Sequence, residues 1–198
     1  MFSSSSSVYG DVEEKDLPTS EDAGLNPISP YALHKLIGEQ YCKLFSKLYG
    51  METVSLRYFN VYGERQPTEG AYCLVMGVFA GQILNGKPMT IRGDGEQRRD
   101  FTYVGDVVEA NIKAGFNAKL PIFPCEGDVF NIGNGDNRSV NEIADMIGGD
   151  KINVEPVIEP RQTLADNIKA KNIIDWKPTG NLEGWIPKWK EEIGIGES

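Results

Sequence analysis

The sequence predicts an α/β fold, because short segments with strand character alternate with helical segments along the chain. The clearest helix runs over 31–49, where apolar residues recur at helical spacing and Gly50 supplies a C-terminal cap. The segment "ETVSLRYF" at 52–59 then alternates as a strand. With 40% hydrophobic residues, 198 residues suffice for one self-sustaining domain or a little more.

The other elements follow from the same local signals, taken in chain order. A short buried strand is expected at 2–8, and a polar loop with turn-forming residues continues to about Pro30. A loop rich in Gly and Pro follows residue 59 and leads into a helix over 72–84. Further strands are predicted at 89–91, 100–104, 128–132 and 153–157, and further helices at 105–118, 140–147, 167–174 and 182–193.

The charge balance narrows the classes of partner. The formal charge is −9 and the isoelectric point is near 4.7, whereas nucleic acids and anionic membranes need a basic protein face. No stretch approaches the roughly 18 apolar residues of a membrane span, and the N-terminus lacks the basic and apolar regions of a signal peptide. We therefore expect a cytoplasmic protein with no nucleic-acid or membrane partner.

Metal and disulfide chemistry are not expected either. The three cysteines, Cys42, Cys73 and Cys125, are odd in number and widely separated, with no CxxC pair. The only histidine, His34, cannot build a histidine metal site by itself. We interpret the cysteines as reduced packing residues and predict no bound metal.

A glycine-rich phosphate loop is missing from the sequence. None of the 22 glycines stands in a GxGxxG or GxxGxxG turn between a strand and a helix. Any nucleotide phosphate must therefore be held by other groups.

The strongest local sign of chemistry is "SPYALHK", in which Tyr31 and Lys35 stand four residues apart at the start of the predicted helix. This spacing stacks the two side chains on one helical face. A neighbouring ammonium favours the phenolate form of a tyrosine, so Tyr31 is a candidate base. A tyrosine and a lysine at this spacing also occur by chance in many helices, so the pair needs support from its neighbours.

That support comes from a resemblance carried by several ordered motifs. "SSSVYG", "SPYALHK", "LRYFNVYGERQ" and "IRGDGEQRRDFTYVGDV" together resemble the extended short-chain dehydrogenase/reductase family. Within it they are most similar to nucleotide-sugar epimerases of the UDP-glucose 4-epimerase type. The resemblance implies NAD-dependent epimerisation at C4 of a UDP-hexose, with or without an N-acetyl group, through a 4-keto intermediate.

The resemblance also implies how the chain is divided. It covers the later part of a Rossmann-type parallel sheet and a smaller α/β substrate-binding domain, without the N-terminal glycine-rich part that binds NAD. Residues 1–60 would belong to the Rossmann-like domain and 61–198 mainly to the nucleotide-sugar-binding domain, with 98–132 partly returning to the sheet. We therefore expect a truncated form with little activity alone, whose full-length form is a homodimer.

Roles at the reacting end follow from the resemblance position by position. Tyr31 would be the catalytic base, and Lys35 would bind the nicotinamide ribose of NAD. Ser5 would hydrogen-bond the sugar 4-hydroxyl and help to pass its proton. Tyr58 would lie near the nicotinamide.

At the nucleotide end, the resemblance assigns Asn60 and Arg99 to the diphosphate of a UDP-sugar. A guanidinium suits this role because it can donate two parallel hydrogen bonds to phosphate oxygens. The alternative for Arg99 is a solvated side chain beside Asp100. Ile91 would wall the base pocket, although an apolar strand residue is as often part of the core.

The segment "VEPVIEPRQTLAD" departs from the family pattern. If Glu159 is the acidic residue that faces the nucleotide ribose, the usual arginine position falls at Pro156, and Arg161 is the candidate to compensate. Thr163 occupies a position where bulky residues exclude N-acetylated sugars in the family. Because threonine is small, an N-acetylhexosamine is allowed.

Two alternatives remain open. The first is a nucleotide-sugar 4,6-dehydratase or UDP-glucuronate decarboxylase of the same family. Dehydratases carry an Asp-Glu pair where this chain has Ser6 and Ser7, and decarboxylases commonly keep a Glu at the second position, so the serines favour epimerisation. The second alternative is an inactive fragment that binds nucleotide sugars.

Overall fold

The computed structural model describes residues 1–70, 73–117 and 126–196, and it confirms the α/β class. The strands are β1 (Phe2–Ser5), β2 (Thr53–Tyr58), β3 (Asn60–Tyr62), β4 (Met89–Arg92), β5 (Arg98–Tyr103), β6 (Glu126–Ile132), β7 (Asn137–Ser139) and β8 (Lys151–Val154). The helices are α1 (Pro30–Tyr49), α2 (Val75–Leu84), α3 (Val104–Asn117), α4 (Val140–Ile147), α5 (Ile168–Ile174) and α6 (Leu182–Glu192).

The strands form three small sheets. Strands β1, β2 and β6 are parallel and lie in the order β1-β2-β6. In the second sheet, β5 lies between β3, which is parallel to it, and β7, which is antiparallel. The third sheet is the parallel pair of β4 and β8. Parallel pairing dominates because helical connections return the chain to the same end of the sheet.

Helix α1 is set by local signals at both ends. The Ser29 hydroxyl accepts a hydrogen bond from the Ala32 amide at 3.1 Å, and Pro30 takes the first helical position, where no amide hydrogen is needed. At the other end Gly50 adopts a left-handed conformation with φ of 64°, and its amide donates to the Ser46 carbonyl. These caps hold Tyr31 and Lys35 in the first two turns.

Other predicted elements differ from the structure at their ends. The predicted strand over 2–8 stops at Ser5, because the Ser5 hydroxyl accepts from the Ser7 amide at 3.2 Å and 6–9 form a short 3-10 turn. Strands β3 and β7 were not predicted, and the strand expected at 153–157 lies at 151–154. Of the residues used in the sequence predictions, Tyr72, Ala118 and Cys125 lie outside the described part.

Of the three buried apolar clusters among the described residues, the two larger ones hold the layers together. One fills the space among α2, α4, α6 and strands β4 and β5, and its largest members include Phe79, Met89, Ile143 and Trp189. The other lies between the first sheet and helices α3 and α5. The buried carboxylate of Asp106 joins α3 to the segment before α6, because it accepts from the amides of Thr179 and Gly180 at 3.0 and 2.8 Å.

Among the described residues, no helix is both long enough and apolar enough to cross a membrane.

Candidate active site

A cleft with a volume of about 580 Å³ opens where β1 and β2 end and α1 begins. We call it the central cleft. It gathers eight of the ten predicted site residues, namely Ser5, Tyr31, Lys35, Tyr58, Asn60, Arg99, Glu159 and Thr163. Because the carboxyl ends of parallel strands meet at one edge of a sheet, they bring together residues that are far apart in the sequence.

Tyr31 and Lys35 lie one turn apart on α1, and both line this cleft. The Lys35 ammonium is 5.5 Å from the centre of the Tyr31 ring and donates a hydrogen bond to the Ser3 carbonyl at 2.8 Å. Tyr31 is 43% exposed, so a ligand in the cleft can reach its hydroxyl. An ammonium carries three donors, so the Ser3 contact leaves Lys35 able to bind a ligand hydroxyl as well.

The serine run forms one wall of the central cleft. Ser5 ends β1, and Ser6 and Ser7 follow it in the 3-10 turn. The Ser7 hydroxyl is buried and has no hydrogen-bond partner among the described residues. Neither Ser6 nor Ser7 offers a carboxylate, and Glu159 is the one carboxylate among the described residues that line the cleft.

Tyr58 and Asn60 form the wall contributed by the ends of β2 and β3. The Tyr58 hydroxyl donates to the Asn111 side chain at 3.0 Å and shares a hydrogen bond with the Ser3 hydroxyl at 3.3 Å. These contacts hold the Tyr58 ring against the β1 end of the cleft. Asn60 is the first residue of β3 and pairs with Phe101 of β5, two residues after Arg99.

Arg99 and Glu159 form an ion pair inside the cleft. The Arg99 guanidinium is 2.6 Å from the Glu159 carboxylate, and their side chains are 11% and 34% exposed. Burial lowers the pKa of Arg99, and the charge of Glu159 opposes that shift. Gln97 donates a longer hydrogen bond of 3.3 Å to the same carboxylate. The arginine is therefore not a solvated side chain, which was the alternative from sequence.

Thr163 is held by the strand that carries Arg99. Its hydroxyl accepts from the Asp100 amide at 3.1 Å, and its amide donates to the Arg98 carbonyl at 3.0 Å. The Asp100 carboxylate is fully buried and accepts from three backbone amides, those of Asn134, Gly135 and Ala165. Burial raises the pKa of Asp100 to about 6, although these amides work in the opposite direction.

The other two predicted site residues do not line the central cleft. Ile91 is 1% exposed and belongs to the apolar cluster around α2, α4 and α6. The Arg161 guanidinium instead binds the exposed carboxylate of Asp94, with distances of 2.8 and 3.0 Å. The hydrogen bond from Arg161 lowers the pKa of Asp94 to about 2.

A group of buried polar residues behind the cleft was missed by the sequence predictions. Glu39 on α1 binds Ser4 on β1 and Arg57 on β2. The available signal was spacing, because Glu39 stands four residues after Lys35 just as Lys35 stands four after Tyr31. A charged residue on the face that packs against a sheet indicates a buried partner.

The residues present fit one end of an NAD molecule. The ammonium of Lys35, beside the rings of Tyr31 and Tyr58, suits a ribose with a nicotinamide ring. The sequence has no glycine-rich turn for the pyrophosphate. The fit therefore concerns the nicotinamide ribose end alone.

Comparison with known proteins gives one family match and many relatives. The model of the NAD dependent epimerase/dehydratase family matches residues 1–133. A candidate UDP-glucose 4-epimerase of Methanocaldococcus jannaschii is 40% identical over 192 residues, which cover 94% of this chain and 59% of that protein. The UDP-glucose 4-epimerase of Mycolicibacterium smegmatis is 36% identical over 96% of this chain and 60% of its own length.

Solved structures agree with the sequence relatives. The UDP-glucuronic acid 4-epimerase of Bacillus cereus, in complex with UDP-glucuronic acid and NAD, superposes with a TM-score of 0.82 at 35% identity. The match covers 98% of this chain and 60% of that one. The chain thus spans about three fifths of the length of the relatives that it matches.

Proposed function

Since this chain belongs to the NAD-dependent epimerase/dehydratase family, we propose that it carries the substrate-binding and proton-transfer part of a UDP-hexose 4-epimerase. The observation that carries the proposal is the central cleft, in which Ser5, Tyr31 and Lys35 line the same pocket as Arg99. We assign the first three residues to the sugar end of a ligand and Arg99 to its nucleotide diphosphate end.

At the sugar end, the Tyr31 phenolate takes the proton from the 4-hydroxyl, and the Ser5 hydroxyl holds that oxygen and helps to pass the proton. Lys35, whose ammonium lies 5.5 Å from the centre of the Tyr31 ring, holds the nicotinamide ribose. NAD, when bound, supplies a carbon that accepts hydride from C4 of the sugar and returns it. The protein therefore contributes orientation and proton transfer.

At the nucleotide end, the Arg99 guanidinium binds the diphosphate and Asn60 donates from its amide. Glu159 lies beside Arg99 and accepts from the ribose hydroxyls. This division of work is supported by the position of all three residues in one cleft. Neither Arg161 nor Ile91 lines the cleft, so their contacts with the nucleotide stay predictions from the resemblance.

Epimerisation is favoured over elimination because Ser6 and Ser7 stand where a dehydratase needs carboxylates. The sugar is a hexose with or without an N-acetyl group, which the small Thr163 allows. The relative solved with UDP-glucuronic acid makes that sugar nucleotide a substrate to test alongside UDP-glucose and UDP-galactose.

The test is conversion of UDP-galactose to UDP-glucose in the presence of NAD, with Tyr31→Phe as the variant and Tyr49→Phe as the matched control. Tyr49 is an exposed tyrosine at the far end of the same helix. We expect Tyr31→Phe to lower turnover by about a hundredfold or more and to leave UDP affinity within about twofold, because it removes a base and not a binding group. Equal turnover by both variants would contradict the proposal.

We propose slow turnover by the 198 residues alone, because the sequence offers no turn for the NAD pyrophosphate. A thermal-shift comparison tests this: UDP should raise the melting temperature and NAD should raise it much less. Equal stabilisation by NAD, or fast turnover, would contradict the proposal. An inactive nucleotide-sugar-binding fragment would respond to UDP and show no turnover with any of the three sugar nucleotides.

We also propose a cytoplasmic homodimer that associates through α1. The support is a set of large apolar side chains exposed on this helix, namely Leu33, Ile37, Tyr41, Leu44 and Leu48. Sedimentation of the wild type and of a Leu44→Lys variant tests it, since a monomer in both would contradict the dimer.

A further inference from the structure

Three polar side chains lie in one row across the first sheet. Strand pairing sets Ser4 of β1 opposite Arg57 of β2, and Arg57 opposite Asn131 of β6. They are 2%, 3% and 0% exposed. Buried strands of parallel sheets are normally apolar, so a polar row at this level requires partners from the covering layer.

Helix α1 supplies the first partner. Both oxygens of the Glu39 carboxylate accept from Arg57, with distances of 2.9 Å to Nε and 2.7 Å to Nη2. The Ser4 hydroxyl donates to the same carboxylate. Glu39 is 4% exposed, so this is a two-point ion pair closed off from water.

The remaining donors of the row bind Tyr9 and two loop carbonyls. Arg57 Nη1 donates to the Tyr9 hydroxyl at 2.8 Å, and that hydroxyl donates to Asn131 at 2.6 Å. The Asn131 amide group donates to the carbonyls of Thr19 and Asp166 at 2.9 and 3.1 Å. The network therefore joins α1, the three strands of the first sheet and the loops that carry Thr19 and Asp166.

A buried ion pair is a poor source of stability, because apolar residues of similar volume often do as well or better. Its two hydrogen bonds do, however, fix the distance and orientation of the helix relative to the strand, whereas apolar contacts allow the two elements to shift along each other. Glu39 lies about 6 Å along the helix axis from Lys35 and about 12 Å from Tyr31, at a rise of about 1.5 Å per residue. The pair can thus set the height of both residues above β1.

We propose that Glu39 and Arg57 are positioning residues that lock α1 against β1 and β2, and so place Tyr31 and Lys35 relative to Ser5. This inference rests on the proposed function for the meaning of that placement. Lys35 lies one helical turn before Glu39 and donates to the Ser3 carbonyl. Because β1 carries both Ser3 and Ser4, this hydrogen bond depends on the contact between Glu39 and Ser4. The cleft then keeps its shape before any ligand binds.

The test replaces both charges together, as Glu39→Leu with Arg57→Met, so that no buried charge is left unpaired. The matched control is Glu109→Leu with Lys113→Met, which removes an ion pair within α3 away from the cleft. The first readout is the ring 13C resonance of Tyr31, assigned with Tyr31→Phe. The second is hydrogen exchange of the α1 amides over 32–38.

We expect the buried double variant to melt cooperatively near the wild-type temperature and to bind UDP within about threefold of wild type, because apolar pairs can replace buried ion pairs. The Tyr31 resonance should shift or broaden, and exchange of the α1 amides should rise by about tenfold or more. Where turnover is measurable, kcat should fall and KM should stay close to wild type.

If the double variant does not fold, Arg57→Lys serves in its place, since it keeps both charges of the buried pair and loses the two-point hydrogen bonding to Glu39. An unchanged Tyr31 resonance and unchanged exchange in the folded variants would overturn the positioning role. A fall in UDP affinity that parallels a fall in melting temperature would also overturn the positioning role, because that result is expected if the pair only stabilises the fold. Absence of turnover by wild type would contradict the epimerase proposal, while the resonance and exchange would still decide the role of the pair.

Discussion

The Glu159 carboxylate lies 2.6 Å from the guanidinium of Arg99, two residues that are sixty positions apart in the chain. Of the two cations that line the described part of the central cleft, Arg99 is the more buried, and it already has an anionic partner. A diphosphate that binds as we propose would therefore share Arg99 with Glu159 or displace it. This relationship makes binding in the cleft sensitive to both residues in opposite ways.

Arg99→Met should weaken UDP binding by about tenfold or more, because a hydrogen bond to a charged group contributes about 1.5–3 kcal/mol. Uridine lacks the diphosphate, so its affinity should change little. Titration calorimetry with UDP and with uridine measures both. Arg92→Met is the control, since Arg92 is exposed on β4. Equal losses for the two ligands would mean that Arg99 acts through folding.

Glu159→Gln should strengthen the binding of a simple anion, whereas Arg99→Met should weaken the binding of UDP. Removing the carboxylate frees Arg99 and removes a like charge, so affinity for inorganic pyrophosphate should rise by about threefold or more. Affinity for uridine should fall, since the ribose hydroxyls lose an ionised acceptor. Competition of each ligand against UDP measures the two effects. Weaker pyrophosphate binding would show that Glu159 does not compete for Arg99.

Asp100 should make stability depend on pH in an unusual direction. Its pKa is raised from 3.8 to about 6 in the folded protein, so the folded state favours the protonated form. The contribution is fully present below about pH 3.8 and is lost as the pH rises through about 6, a change of about 3 kcal/mol at about 1.4 kcal/mol per pH unit.

The Asp100→Asn variant isolates that contribution. An amide cannot titrate, and its NH2 group meets the backbone donors that the carboxylate accepts, so the variant should be less stable at every pH. The difference in unfolding free energy between wild type and variant should narrow between pH 4 and pH 6.5. Urea unfolding at several pH values measures it, and a constant or widening difference would contradict the raised pKa.

Gly38→Ala should destabilise the protein although alanine is the better helix former. A Cβ atom at this position in α1 would lie 2.1 Å from the Phe2 ring of β1, so helix and strand must separate. We expect a loss of about 1–3 kcal/mol. The control Gly115→Ala in α3 meets its nearest atom, on Met1, at 3.6 Å and should gain up to about 1 kcal/mol. Thermal melts of the two variants compare them directly, and equal melting temperatures would be inconsistent with close packing at Gly38.

The elements that the sequence predicted well are those with local signals. Helix α1 carries its own caps in Ser29, Pro30 and Gly50, and α4 begins with a hydroxyl and a carboxylate that cap each other, Ser139 and Glu142. Strands β3 and β7 have three residues each and are defined by pairing with β5, which no short window of sequence contains. Their omission from the predictions has this physical cause.

The residues of the candidate site also divide into those with a local sequence signal and those brought together by the fold. Tyr31 and Lys35 were found from spacing within one helix, whereas Arg99 and Glu159 were found through resemblance and meet by the fold alone. The polar row of Ser4, Arg57 and Asn131 depends on strand register across 127 residues of chain, and so could not be predicted from local pattern. The role that the resemblance implies for Ile91 stays a prediction, since Ile91 is buried in the apolar cluster around α2, α4 and α6.

The serines at the start of the chain are chemically identical, yet they hold different positions in the network of contacts. The Ser3 carbonyl accepts a hydrogen bond from Lys35, and the Ser4 hydroxyl donates one to Glu39. The Ser5 hydroxyl accepts from the Ser7 amide where the strand ends, and the Ser7 hydroxyl has no partner in the described structure. A homopolymeric stretch normally tolerates exchange or slippage of its units. Here the two ends of the run are fixed by different residues, because Phe2 packs against Gly38 and pairs with Ser55, while Val8 and Tyr9 are buried beyond the 3-10 turn. The insertion or deletion of a single serine would therefore shift Phe2 relative to Val8, and either β1 or the turn would lose its register.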